Sequence, residues 1–239
     1  TGADKGKYLF DPDDAAINKL TSSTFVDFAV SATDNGTPAA TGLTTIKVNV
    51  TGANDTPVLL APTAIGMVDT AQPDTQAGLI TAASNNSGTL SASDAENGAL
   101  TYGITAGTTG GSTVVNSVTY DVSKAGTNGT LYVNSSTGGY VFVPTASAVN
   151  ALAAGSTSET FTVTSSDGSL SGSQTLTVNY TGANDTPVIT SSNPPTALQY
   201  VDTTAADTFS NLPNPLTALV GTDAEGAVTY GVSTGATGG

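Results

Sequence analysis

The side chains able to do chemistry in this sequence are almost all carboxylates. Asp and Glu number 19 against 5 basic residues, every one a lysine, and neither histidine nor cysteine occurs. The missing histidine removes the commonest general base and transition-metal ligand, and the missing arginine removes the usual bidentate clamp for phosphate or carboxylate substrates. Without cysteine there are no disulfides, thiolate metal sites or thiol nucleophiles, and the redox compartment is left open. The donors that remain are hard oxygens, which suit Ca²⁺ rather than Zn²⁺ or Cu²⁺. The acidic excess repels nucleic-acid phosphates, and its self-repulsion opposes compaction unless cations sit among the carboxylates.

The spacing of these donors is not random. The octet Thr51-Gly52-Ala53-Asn54-Asp55-Thr56-Pro57-Val58 returns unchanged 130 positions later as Thr181 to Val188, bringing Asn184 and Asp185. Two of the three glutamates lie in Asp-Ala-Glu turns, Asp94 with Glu96 and Asp223 with Glu225. Asn54, Asp55, Asp94, Glu96, Asn184, Asp185, Asp223 and Glu225 are therefore the candidate metal ligands, with Asp167 added from a third acidic turn. Asn and Asp also occupy turns simply because they tolerate turn geometry. Asp167 and Asp34 divide evenly between the two readings, since each precedes a glycine closely enough to make a hairpin turn. Asp69 and Asp202 are expected at the surface. Asp11, Asp13 and Asp14 lack the glycine and distal glutamate of an EF-hand and read as an acidic helix start.

The elements that must position these residues can be read from the repeat. Each octet succeeds an alternating apolar run, 46–50 and 176–180, so a strand ends there, a glycine breaks it, and a proline stiffens the connector. Residues 6–50 align with 138–180: Tyr8-Leu9-Phe10 with Tyr140-Val141-Phe142, and Phe28-Ala29-Val30 with Phe161-Thr162-Val163. Val68-Asp69-Thr70 returns as Val201-Asp202-Thr203. The expected organisation is a second half-repeat at 1–54, one complete unit at 55–184 and a first half-repeat at 185–239. The chain thus begins and ends inside the pattern, as an excerpt of something longer would.

Within the complete unit, short runs at 88–93, 100–105, 114–122, 130–134, 140–143, 160–165 and 173–180 alternate apolar with Thr and Ser. About seven strands of this kind predict an all-β chain of tandem antiparallel β-sandwich repeats with immunoglobulin-like or cadherin-like arrangement. One helical turn is expected within 146–153, between Pro144-Thr145 and Gly155. Leu100, Tyr102, Ile104, Leu131, Val133, Tyr140, Phe142, Phe161, Val163, Leu176 and Val178 form the expected core. If the first long hairpin strand runs back toward the connector, Asp94 and Glu96 arrive beside Asn54 and Asp55. No apolar run approaches bilayer-spanning length.

The order Gly-Tyr-Val-Phe-Val-Pro, Ala-x-Val-Asn-Ala-Leu-Ala-Ala-Gly, Phe-Thr-Val-Thr-x-x-Asp-Gly and Leu-Thr-Val-Asn-Tyr-Thr-Gly-Ala-Asn-Asp-Thr-Pro-Val, read from Gly139 to Val188, resembles the VCBS repeats of large secreted bacterial proteins. These are similar to bacterial cadherin-like domains. The resemblance implies a module of an extracellular bacterial adhesin or surface filament, acting in adhesion or biofilm, with calcium held between an Asn-Asp linker and an Asp-x-Glu turn. In a sandwich of this class the turn carrying Asp167 lies at the same end. Expected partners are neighbouring repeats of the same chain or head-to-tail copies, together with cell-surface or matrix components. Catalysis is not expected, because acid pairs on turns at a domain end do not form a glycosidase cleft. The alternative is a sandwich that itself binds glycan or protein.

Overall fold

The computed structural model describes residues 6–96, 98–189, 204 and 220–231. The leading segment carries helix α1 (Asp14–Ile17) and the long hairpin of β1 (Thr24–Thr33) and β2 (Thr41–Val50). Asp13 caps α1, its Oδ1 accepting from the Ala16 amide at 3.2 Å, so the acidic cluster is a helix start as its pattern predicts. Phe28 stands opposite Ile46 across the hairpin, just as Phe161 stands opposite Leu176 in the later copy.

The central segment builds a two-layer sandwich. In chain order it comprises β3 (Val58–Leu59), β4 (Ile65–Val68), α2 (Gln76–Ala82), β5 (Ser87–Thr89), β6 (Ala92–Ser93), β7 (Thr101–Ile104) and β8 (Thr108–Val115). There follow β9 (Val118–Ala125), β10 (Gly129–Val133), β11 (Gly139–Pro144), α3 (Ala146–Val149), β12 (Gly155–Ser166) and β13 (Ser171–Gly182). One sheet runs β5-β11-β10-β9-β8 and the other β4-β13-β12-β7, with β3 and β6 paired separately. Pairing is antiparallel except between β4 and β13, which lie parallel with Val68 beside Thr181. Beyond the second connector, β14 (Val188–Ile189) pairs with β15 (Gly221–Thr222).

Alternation decides which face is buried. In β13, Leu176, Val178 and Tyr180 point inward while Thr175, Asn179 and Thr181 do not, and Phe161 and Val163 of β12 join them. The opposing sheet supplies Val122, Leu131, Val133, Tyr140 and Phe142. Phe142 sits at the centre, 5.9 Å from Phe161 and 6.5 Å from Tyr180 between ring centroids. Each fully buried side chain of this size contributes about 1.5–3 kcal/mol. The repeat counterpart of Phe161 is half uncovered: Phe28 is 43% exposed and Phe161 3%.

The architecture is the expected all-β sandwich, and several local readings change. The run 114–122 is the tip of the β8–β9 hairpin, because Asn116 and Ser117 both take positive φ, 50° and 66°, the geometry of a tight twisted turn. The run 88–93 divides between β5 and β6, which pair in different sheets. Helix α3 ends at Val149, one short turn, and α2 has no counterpart in the sequence reading: Thr75 caps it and packing of Leu79 holds it. Leu100 is only half-buried and lies outside the core, to which Ile65, Met67, Leu59, Leu90, Val149 and Tyr180 must be added.

Candidate metal centre

The first connector enters the sandwich beside the β6–β7 turn. The Asp55 amide donates to Glu96 Oε1 at 3.1 Å, fixing the Asp-Ala-Glu turn against the connector. Asn54 Nδ2 donates to Asp167 Oδ2 at 2.7 Å, which brings in the β12–β13 turn. Asn54, Asp55, Asp94, Glu96 and Asp167 are thus assembled from three loops, and the first two loops border an open pocket of about 450 Å³ lined by Asp55, Thr56, Val58, Ser93, Asp94 and Ala95. Pro57 is buried beneath the connector, and a Cβ on Gly172 would run into its carbonyl oxygen, so this close approach requires glycine.

The second connector repeats the arrangement. The Asp185 amide donates to Glu225 Oε1 at 2.9 Å, and the same oxygens are left over at both places: Asp94 Oδ1 and Glu96 Oε2 at the first, Asp223 Oδ1 and Glu225 Oε2 at the second. All four are buried without a hydrogen-bond partner among the described residues. Asn184 is exposed and turns its amide to the Asp185 carbonyl at 3.3 Å.

Electrostatics reflect this crowding. Burial, then the neighbouring Glu96, then Asp167 and Asp55 push the Asp94 carboxyl above its ordinary value. Burial and the charges of Asp69, Glu225, Asp74 and Asp223 raise Asp185 in the same way. Asp167 is held below the carboxylate range, because its oxygens accept from the amides of Leu170 and Ser169 and from Asn54. It stays ionised, closing its own turn and orienting Asn54. Asp34 Oδ1 accepts from the amides of Gly36 and Ala40 within its own turn.

One expectation is corrected. Asp69, read as a surface residue, is 4% exposed at the end of β4. Parallel pairing with β13 carries it past Thr181, where its amide donates to the Thr181 carbonyl at 2.9 Å and its Oδ2 accepts from Ala183 N at 3.0 Å. The signal available in the sequence was the recurrence of Val-Asp-Thr at 68–70 and 201–203; Asp202 lies outside the described residues. Glu159, the glutamate outside the Asp-Ala-Glu turns, is structural: it accepts from the amides of Thr127 and Asn128 and from the Tyr180 hydroxyl. Burial and that carboxylate push the Tyr180 phenol far above its usual range.

Do these residues fit a hard cation? Among the described residues no group of three or more Asp, Glu, His or Cys side chains is placed so that it could hold a metal ion. The fit is carried instead by donor chemistry and by orphaned oxygens. Of eight buried side-chain polar atoms lacking a partner among the described residues, seven are carboxylate oxygens at the two connectors, so the polar deficit is concentrated where a cation would relieve it.

No family model and no curated protein matches the chain. Among solved structures it is similar to the extracellular cadherin domains 1–5 of protocadherin gamma B2, with 18% identity, 71% of this chain and 27% of that one covered, and a TM-score of 0.36. Domains 3–6 of protocadherin gamma B7, in a cis-dimer structure, give 19% identity, 88% and 44% coverage and 0.34. An endo-fucoidan hydrolase from glycoside hydrolase family 107 gives 16%, 70%, 21% and 0.28. The chain spans less than half the length of each. At such TM-scores the likeness carries no functional weight, and the sandwich stands on the strand pairing of the chain itself.

Proposed function

We propose that the chain is a run of structural modules whose connectors are stiffened by calcium, part of an extracellular bacterial adhesin or surface filament. On this reading residues 1–54, 55–184 and 185–239 are the end of one repeat, a whole repeat and the start of another. Asn54, Asp55, Asp94, Glu96 and Asp167 serve the first connector, and Asn184, Asp185, Asp223 and Glu225 the second. The observation that supports it most is the duplication: two separate connectors of identical sequence meet two Asp-Ala-Glu turns through the same amide-to-glutamate bond and orphan the same oxygens.

The mechanism is mechanical. When bound, Ca²⁺ supplies the positive charge that cancels carboxylate repulsion. The chain's own residues do the rest: Asp55 and Asp185 dock their amides on the turn, Asp167 holds Asn54, and Pro57 and its repeat counterpart Pro187 restrict the backbone. Each joint then resists bending, and the array projects whatever lies at its end. Neighbouring repeats or head-to-tail copies are the immediate partners on this reading. The motifs resembling VCBS repeats support the bacterial surface setting, and among the described residues no helix is long and apolar enough to cross a membrane. The carboxylates lie on turns at the ends of the sandwich rather than facing one another across a cleft, which supports a non-catalytic role.

The test is thermal unfolding together with small-angle scattering, in millimolar calcium and in excess chelator. A higher midpoint and a longer, less flexible particle in calcium are expected. Identical midpoints and identical scattering in the two conditions would sink the proposal.

A further inference from the structure

A slot opens along one edge of the complete unit, between the segment that leads from β3 to β4 and the segment that leads from α2 through β5 to β6. The two segments run antiparallel and are clasped at both ends. The Leu60 amide donates to the Ser91 carbonyl at 2.9 Å, and Gly66 and Ser84 exchange backbone bonds of 2.9 Å. Between the clasps no backbone bond joins them, and they part around a cavity of about 280 Å³. Because β5 is the edge strand of its sheet, its backbone adds unpaired donors and acceptors to one wall.

Tyr140 stands at the inner wall. The residue is 3% exposed, its ring packs in the core, and across the β5–β11 pair it lies opposite Gly88. A Cβ on Gly88 would come within 2.6 Å of the Tyr140 hydroxyl, so glycine is what leaves that hydroxyl open to the slot. The hydroxyl has no hydrogen-bond partner among the described residues, although a buried tyrosine ordinarily finds one. Burial pushes the phenol above its ordinary value, so it stays protonated at neutral pH and both donates and accepts. Thr63, Ser87, Thr89 and Ser91 add hydroxyls around the slot, and Leu60 and Pro62 add apolar surface. No lining residue carries a charge, in a chain of net charge -14.

These features select a ligand. With neither a carboxylate nor an ammonium on its walls, the slot gives an ion nothing to pair with, and an ion would lose hydration on entering. The clasps close both ends, so an extended peptide cannot run through the slot as a strand added to β5. The volume lies just below the usual range for small-molecule sites, which suits one ring rather than an oligosaccharide. What fits is a compact, uncharged molecule with hydroxyls around its rim and an apolar face. We infer that the slot beside Tyr140 binds a neutral sugar residue, the terminal pyranose of a glycan, with the Tyr140 hydroxyl bonded to a sugar hydroxyl and the C–H face of the ring set against Leu60 and Pro62. This site is separate from the connectors and independent of calcium, and it gives the flank of the module a recognition role of its own.

The experiment is titration of the full, isotope-labelled chain with a panel of neutral monosaccharides (hexoses, N-acetylhexosamines and pentoses), read by amide NMR shifts, with an anionic sugar acid as the control. At least one neutral sugar should move the amides of Ala61, Thr63 and residues 85–91 saturably, and the sugar acid should not. Tyr140→Phe removes only a hydroxyl that the free fold leaves unbonded, so its unfolding midpoint should not fall, while its sugar affinity drops about fivefold, the worth of one hydrogen bond. Gly88→Ala, with folding followed by its own midpoint, should close the opening and abolish the shifts. Equal affinity in wild type and Tyr140→Phe would overturn the site, as would silence of these amides across the whole panel. Shifts there with a neutral extended peptide and with no sugar would overturn the sugar assignment in favour of a strand docked on β5.

Discussion

Asp185→Asn should raise stability in chelator and lower it in calcium. The carboxylate is fully buried, neither oxygen has a partner among the described residues, and burial together with repulsion from Asp69, Glu225, Asp74 and Asp223 raises its pKa. A buried group left without its hydrogen bond costs about 1–3 kcal/mol, and more when charged. The isosteric amide removes the charge, so the chelated variant should gain ~1 kcal/mol, about 3–5 °C in midpoint for a domain of this size. In calcium the balance reverses. With Kd of about 10⁻⁴ M, typical of extracellular calcium modules, ~5 mM calcium stabilises the wild type by roughly 2.3 kcal/mol per site. A site weakened about a hundredfold retains only ~0.2 kcal/mol of that, so the variant ends ~1 kcal/mol below wild type. Scanning calorimetry in the two buffers would read the crossing directly. A shift of the same sign and size in both buffers would refute the reasoning, because it would make Asp185 an ordinary structural acceptor.

Three further outcomes are expected from the same physics. In chelator, Asp69, Asp94 and Asp185 have pKa values raised in the fold; the stability their protonation contributes is full below the unfolded value of about 3.9 and is lost as pH rises through the folded values. The calcium-dependent increment in midpoint should therefore grow between acid and neutral pH, and a pH-independent increment would contradict it. Asp121 behaves oppositely: the Ser135 hydroxyl and amide depress its pKa, so its contribution is complete above the unfolded value and lost as acid protonates it; Asp121→Ala should cost ~2 kcal/mol at neutral pH by urea unfolding, and a loss below a few tenths would show those bonds to be idle. Gly172→Ala should destabilise by about 1–3 kcal/mol, since its Cβ meets the Pro57 carbonyl, while Gly42→Ala, with open space around it, should be nearly neutral; equal effects would show that the close approach is not what requires glycine.

Much of this protein was legible in one dimension. Period-two alternation is a local property, and it marks Phe161, Val163, Leu176 and Val178 as inward-facing before any partner is known. The repeat is also local information, and it carries the Asn-Asp connector and the Asp-Ala-Glu turn from one copy to the next, while their meeting rested on the expected path of the first long strand. The donor chemistry comes from composition alone: a chain without histidine, cysteine or arginine has mainly oxygen to offer. The strand division at Asn116-Ser117 and the helix at 76–82 were hidden because their signals are weak and packing settles them.

Only the tertiary structure decided what happens to Asp69. Nothing near it in sequence distinguishes a solvated aspartate from a buried one; its burial depends on β4 lying parallel to β13, a contact between residues more than a hundred positions apart. That pairing brings the loop 69–74 onto the second connector and gives Asp185 a buried acidic neighbour. Side-chain chemistry, written in the order of residues, dictates which atoms can ligate. Burial and charge coupling dictate which of them are left without a hydrogen-bond partner among the described residues, and those arise only when distant strands meet.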